Sequence, residues 1–392
     1  MTLYLFTASF PYGIGEGFLD DELTILSSSF EHITIVPMAI HSDVPPRHIP
    51  ANVRVLSPIM RTRTIVNFTG LFNFHSFIPY LQDFLAGKVY KNRKRFRAWI
   101  SEYLHINAIL NSKTIHLLKK ELQEDDIIYT YWGRDAYALS VLWKGRCKFV
   151  SRFHGSTDLW EDLTDNYKPL RRQIIQNLRL AISVSEKGKF FLDSKYPGGR
   201  IIVGRLGNKD YGISRKSSDG VLRVLSCSNI IPIKRVDMIF ESLSLIKDRM
   251  VEWTHIGSGP LESKIKELIS NNCIPGFTVH FTGQLSHADV LRFYLEHPVD
   301  VFINLSTIEG IPVTIMEAIS FDVPIVATNV GATSEIVNEQ TGILLPPNPT
   351  CSEVAKAVVS LIHKSIHPRP YWSDKYDSHK NFSELAAQLI IL

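Results

Sequence analysis

Two carboxylates set eight residues apart, Glu309 and Glu317, are the residues in this sequence whose type and spacing most suggest chemistry. Carboxylates accept hydrogen bonds from hydroxyl groups, so the pair suits a polyol. Ahead of them, residues 299–305 (VDVFINL) form a short apolar run broken only by Asp300 and Asn304. Such a run reads as a strand covered on both faces, as in a parallel sheet. Ser306, Thr307, Glu309 and Gly310 are loop formers, and Pro312 suits the first turn of a helix over about 313–320. A second buried-strand pattern, 323–328 (VPIVAT), follows, with Gly331 at the next turn. Strand, loop, helix and strand in that order make a βαβ unit. Ligands of open α/β sheets sit where loops leave the carboxyl ends of the strands. Glu309 lies in such a loop, and Glu317 on the helix it feeds. The helix start adds unpaired N–H groups and a partial positive charge, a seat for phosphate. Hydroxyl acceptors beside an anion seat suit a nucleotide sugar. The same two acids also read as ordinary helix-start residues favoured by the dipole.

The chain that must position them has 392 residues, enough for two domains. It is 45% hydrophobic and 21% charged, as in a soluble globular protein. Its four cysteines are scattered without metal-ligand spacing and fit a reducing compartment. The first residues, MTLYLFTASFPYG, read as a strand rather than a secretory leader. No apolar run is long enough for a transmembrane helix.

Net charge is +4, yet residues 88–97 alone hold six cations and no acid. Residues 65–85, rich in phenylalanine, precede them. Together 65–97 read either as an interfacial membrane surface or as a helical insertion with a solvated charged face. One basic cluster without a wider basic face argues against nucleic acid.

Alternating strand and helix patterns run through the chain. Strands are expected at 2–8, 33–38, 53–57, 127–131, 148–153, 180–185 and 201–203. Helices are expected at 19–28 and 107–122, and the polar stretch 208–220 reads as a linker. A second series of strands is expected at 222–227, 253–256, 279–282, 299–305 and 323–328, and a tail helix at 371–392. Several loops after these strands carry candidate residues. Gly13, Gly15 and Gly17 precede a helix and would let a ligand approach the backbone closely. His154 follows the strand 148–153 and is followed by Gly155, Ser156, Thr157 and Asp158. Asn229, Lys234 and Arg235 lie in the loop before a helix over 237–246. Gly257 and Gly259 form a tight turn in GSGPL.

The segments EGIPVTIMEA, DVPIVAT, GATSEIV and TGIL resemble the signature of the retaining glycosyltransferases of family 4, over about fifty residues, with weaker echoes along the chain. The resemblance implies the GT-B fold, two α/β Rossmann-like domains facing across a cleft. Residues 1–204 would form the acceptor-side domain and 205–370 the nucleotide-sugar domain, with the 371–392 helix crossing back. It implies that Gly15 lies in a glycine-rich first loop, and that His154, in RFHGSTD, faces the diphosphate or the reacting sugar. One extra residue before Asp158 departs from the family pattern. Lys234 matches the lysine that meets the diphosphate. Asn229 stands where the family has arginine, and Arg235, at a common glycine position, is the candidate to compensate. Gly257, in the family's G-x-G-P-L turn, would touch the nucleotide.

On the same grounds Glu309 would bind the donor sugar or diphosphate, and Glu317 the ribose hydroxyls. The N–H groups of Gly310 and Ile311 would face the donor, with Glu335 either on the ribose side or behind the groups that touch the donor. The implied activity is a retaining, metal-independent hexosyl transfer from a nucleotide-diphosphate sugar to a glycan or lipid-linked acceptor. It needs no cofactor beyond that co-substrate. Its setting would be capsule, lipopolysaccharide or exopolysaccharide synthesis, in the cytoplasm or on the inner face of the plasma membrane. An epimerase or phosphorylase on the same fold is a second enzyme reading. A non-catalytic protein that binds nucleotide sugar or scaffolds glycan assembly is the reading from another class.

Overall fold

A computed structural model describes residues 1–13, 16–40, 45–59, 77–133, 139–140, 143, 145–159 and 167–392. Gly15 and residues 65–76, both singled out from the sequence, lie outside this set. The chain divides into two units, Met1–Gly204 with Phe382–Leu392, and Arg205–Asn381.

The first unit is built on a parallel sheet of β1 (Thr2–Thr7), β2 (His32–Pro37), β3 (Val53–Val55), β4 (Ile127–Thr130), β5 (Lys148–Phe153), β6 (Leu180–Ser183) and β7 (Ile201–Val203). The strand order is β3-β2-β1-β4-β5-β6-β7. Strand side chains alternate between faces. Leu3 and Leu5 join a core with Leu19, Leu23 and Leu26 of the helix Leu19–Ser29. Tyr4 and Phe6 face the opposite core, with Ile106, Ile109, Ile115 and Leu118. Both faces are therefore covered, which is why these strands read as continuous apolar runs.

The second unit repeats the pattern with β8 (Leu222–Cys227), β9 (Val251–Ile256), β10 (Phe277–Gly283), β11 (Val301–Asn304), β12 (Ile325–Thr328) and β13 (Gly342–Leu345). Its order is β10-β9-β8-β11-β12-β13, and every pairing is parallel. Each sheet thus has a switch point, between β1 and β4 in one and between β8 and β11 in the other, where the winding reverses. At such a point the loops on either side part and leave a crevice.

Three sequence expectations are revised. The helix expected at 107–122 is two helices, Arg93–Leu110 and Lys113–Glu121, because the Ser112 hydroxyl accepts the Ile115 N–H and starts a new one. The tail is likewise two helices, Arg369–Lys375 and Ser378–Ile390. Asn381 Nδ2 bridges their junction, donating to the carbonyls of Lys375 and Leu206. Phe382, Leu385, Ala386 and Leu389 then present one apolar stripe at helical spacing, all buried. The polar stretch 208–220 is not a free linker. Ser214 N–H donates to Phe321 O, and the Asp300 carboxylate accepts from the N–H and hydroxyl of Ser217.

Candidate functional site

The loops after β8 and β11 meet at the switch point of the second unit. After β8 the chain enters a short turn, Pro232–Lys234, and then the helix Val236–Leu243. After β11 it runs through Glu309 into the helix Val313–Ser320. Thr307 N–H donates to Ile233 O at 2.8 Å and ties the two loops together. Lys234 Nζ lies 2.5 Å from Glu309 Oε1. Asn304 Nδ2, at the end of β11, approaches the same oxygen at 3.4 Å, while its Oδ1 accepts the Ser306 N–H.

Lys234 and Glu309 line a hollow of about 300 Å³ together with Asn229, Gly257, Val313 and Thr314. Val313 and Thr314 open their helix, so their N–H groups have no partner within it. Lys234 is the one cation among the lining residues. A cation, a carboxylate and first-turn N–H groups around one hollow can hold an anion beside a hydroxyl-bearing group.

Arg235 does not share in this site, contrary to the expectation that it compensates for Asn229. Its backbone is left-handed, φ 48°, a conformation costly for a side chain with a Cβ. Its guanidinium donates to Leu305 O at 2.6 Å, Pro347 O at 2.7 Å and Ser306 O at 3.1 Å. Three carbonyls hold it as a brace for the β11 loop.

Glu317 is 4% exposed, on the inner side of its helix. It does not line the hollow itself. Its Oε1 lies 2.8 Å from Nε2 of His287, in the first turn of the helix His287–Glu296. Cys227, which does line the hollow, is held up to about 12 by burial and then by the Glu317 charge, against a downward pull from Lys234. The thiol stays protonated near neutral pH. Neither His287 nor Cys227 stood out in the sequence, because a lone histidine and a lone cysteine carry no spacing signal.

The glycines set the close approaches. Gly331 has φ 53°, and a Cβ there would stand 1.8 Å from Glu309 O. Ala332 N–H donates to Gly310 O, so the GATSE turn clasps the Glu309 loop. Glu335 ends a short turn, and its carbonyl accepts from Tyr371 and Tyr376. Gly257, φ 134°, would set a Cβ 2.0 Å from Ser228 O. That glycine is required by the β8 loop as well as being part of the hollow's wall. Ile311 is buried, and the hollow's lining includes neither it, Gly310 nor Glu335.

The first unit carries its own cluster at its switch point. Glu16, a non-glycine residue at φ 57°, is 8% exposed. Its carboxylate accepts from the N–H groups of Ala8, Ser9 and Phe10, just after β1, at 2.8–2.9 Å. It also accepts from the indole of Trp132, just after β4, at 2.6 Å. The His154 ring centroid lies 4.4 Å from that of Trp132 and 5.0 Å from that of Tyr131. His154 Nε2 donates to Tyr131 O at 2.9 Å, which leaves Nδ1 as the acceptor. Burial, followed by the Arg152 charge, pushes the imidazole down to about 3, so it is neutral at neutral pH.

Asp158 accepts from the N–H groups of His154 and Gly133. In this sequence, with its extra residue, the acid closes the turn Gly155–Asp158 and joins the β4 and β5 loops. Below lies a buried pair, Arg152 and Glu22, 2.5 Å apart, with Tyr129 and Tyr131 bonded to it.

Residues 222–364 match the family model for glycosyl transferases group 1. The chain is similar to the amylovoran biosynthesis glycosyltransferase AmsK of Erwinia amylovora, 24% identical over 59% of this chain and 60% of that protein. The chain therefore spans less than two thirds of that relative's length. Among solved structures it resembles the lipopolysaccharide outer core galactosyltransferase WaaB, with a TM-score of 0.68, 13% identity and 99% of both chains covered. It also resembles HepE from Anabaena, solved with UDP and glucose, with a TM-score of 0.63, 14% identity and full coverage of both chains. These likenesses show the fold, two Rossmann-like domains of the GT-B type.

Proposed function

We propose that the chain is a retaining, metal-independent glycosyltransferase of family 4 type. It moves a hexose from a nucleotide-diphosphate sugar to a glycan or lipid-linked acceptor in bacterial surface-polysaccharide assembly. The observation that carries this reading is the Lys234–Glu309 pair, set across the β8/β11 switch point beside the first-turn N–H groups of the helix Val313–Ser320.

In this reading the anomeric C–O bond to the diphosphate breaks as the acceptor hydroxyl oxygen bonds to the same face of that carbon. The hydroxyl proton passes to the leaving phosphate oxygen, and nucleoside diphosphate is released. The negative charge that develops on the diphosphate meets Lys234 and the helix start. Stabilising a developing charge by groups fixed beforehand is usually the largest catalytic contribution. Glu309 holds Lys234 in place and accepts from sugar hydroxyls. Glu317 exchanges its contact with His287 for the ribose hydroxyls. The likenesses to AmsK and WaaB support the setting, and HepE, solved with UDP and glucose, supports the ligand class.

A second reading, a non-catalytic nucleotide-sugar binder, is favoured by one observation. Lys234 is the one cation lining the hollow, since Asn229 stands at the arginine position and Arg235 serves as a brace. Release of nucleoside diphosphate from a panel of nucleotide sugars, with a lipid-linked glycan fraction as acceptor, separates the two. Acceptor-dependent release that Glu309→Gln lowers by about ten-fold or more supports transfer. Binding of a donor without release supports the scaffold.

A further inference from the structure

The helix Phe77–Ala86 is apolar on both of its sides. Its inner side carries Tyr80 and Phe84, whose rings pack on Trp99, with centroids 5.7 and 5.1 Å away. Its outer side carries Ile78, Leu81 and Leu85, at i, i+3 and i+7, and they are 67%, 41% and 60% exposed. A soluble helix normally turns a polar side outward.

The apolar surface continues past the helix. Phe84 touches Tyr90 and Phe96, with ring centroids 6.1 and 6.3 Å away, and both of those residues are exposed. Around this surface stand Lys88, Lys91, Arg93, Lys94 and Arg97, all exposed. The single acid between residues 77 and 97, Asp83, is buried and accepts from Tyr167 and from the Leu170 N–H. No exposed carboxylate in that segment offsets the cations. Arg95 is the exception among the cations. It turns inward, donating to Gly87 O and lying over the Tyr167 ring.

We propose that residues 77–97 form a docking surface for an anionic phospholipid bilayer. Ile78, Leu81, Leu85, Tyr90 and Phe96 would enter the acyl boundary, and the five exposed cations would meet the lipid phosphates. Exposed apolar side chains ringed by cations, with the acid withdrawn, match the two-part character of such a surface. A protein partner or a second copy of the chain would cover the apolar stripe without calling for five exposed cations beside it. The proposal stands on the first unit alone and does not depend on the function assigned to the second.

The test is co-sedimentation of the full chain with vesicles of phosphatidylcholine, with or without phosphatidylglycerol, at low and high salt. Binding should require the anionic lipid and weaken with salt. Each cation near such a surface strengthens binding by about five-fold, so replacing Lys91, Arg93 and Lys94 by Ser should lower partitioning by at least about ten-fold. Leu81→Asp with Leu85→Asp should do the same, and circular dichroism should show both variants folded, since the replaced side chains are exposed. Arg95→Ser should lower thermal stability and leave partitioning of the folded protein unchanged. Equal binding to both vesicle types, or binding that survives the Ser variant, overturns the proposal. So does an absence of sedimentation, whether or not light scattering shows a dimer that Leu81→Asp dissociates.

Discussion

Lys234 and Glu309, 75 residues apart in sequence, meet at 2.5 Å across the switch point of the second sheet. Glu16 and Trp132, 116 residues apart, meet at 2.6 Å across the switch point of the first. In each sheet a carboxylate from one loop takes a donor from the loop across the crevice. The two pairs differ in exposure and in saturation. Glu16 is filled by three backbone N–H groups and an indole. Glu309 accepts from one ammonium and one amide and faces a hollow. The first arrangement fixes a loop, and the second leaves acceptor capacity for a ligand.

Glu309→Gln and Lys234→Ala should each lower kcat/KM for the donor by about ten-fold or more, roughly 1.4 kcal/mol of transition-state stabilisation. Steady-state rates of nucleoside diphosphate release would show this. Wild-type turnover in either purified variant would remove that residue from the site.

Gly331→Ala should lower both activity and melting temperature, although residue 331 touches no substrate in the proposed reading. The new Cβ would have to displace Glu309 O, 1.8 Å away, from a backbone at φ 53°. Strain of this kind costs about 1–3 kcal/mol. An unaltered melting curve with unaltered rates would show that the turn does not set the Glu309 loop.

Glu16→Gln should destabilise the first unit by about 3 kcal/mol, because an amide points a donor at N–H groups that need acceptors. Nucleotide affinity of the folded fraction, which the proposed function assigns to the second unit, should stay at the wild-type value. A calorimetric scan and a nucleotide titration read the two effects separately. A loss of nucleotide affinity equal to the loss of stability would contradict the division of roles.

His154 gives a pH signature. Its folded value, about 3, lies below its unfolded value of about 6.5. Between those values the unfolded chain binds a proton that the folded chain does not. The stability is therefore fully present above about pH 6.5 and is lost as pH falls toward about 3. His255, held down to about 4 by burial, acts in the same direction. His154→Gln should reduce the difference in melting temperature between neutral pH and about pH 5, with the His255 contribution remaining. An undiminished difference would mean that the imidazole is solvated or charged in the folded state.

The pattern of residues 299–328 was legible in the sequence because each boundary has a local cause. Apolar runs marked the strands, Pro312 preceded the helix, and Gly331 marked the turn. Asn229, Lys234, Gly257 and Glu309 line one hollow, and the loop that carries each could be read in the same way. Arg235 could not be read. Its role depends on carbonyls about 70 and 112 residues away that converge only in three dimensions. The Trp132 side of the Glu16 clamp was hidden for the same reason, since it lies 116 residues away. The break at Ser112 did leave a local trace, a serine three residues before the N–H that it caps, but an apolar pattern running through it masked the signal.

The most direct test of the central claim is a crystal structure of the protein with a bound nucleoside diphosphate chosen by a thermal-shift panel. The account predicts a phosphate oxygen within hydrogen-bond reach of Lys234 Nζ and of the Val313 or Thr314 N–H, with the ribose hydroxyls on Glu317. A nucleotide bound outside the hollow between the β8 and β11 loops, with the Lys234–Glu309 pair facing solvent, would contradict it.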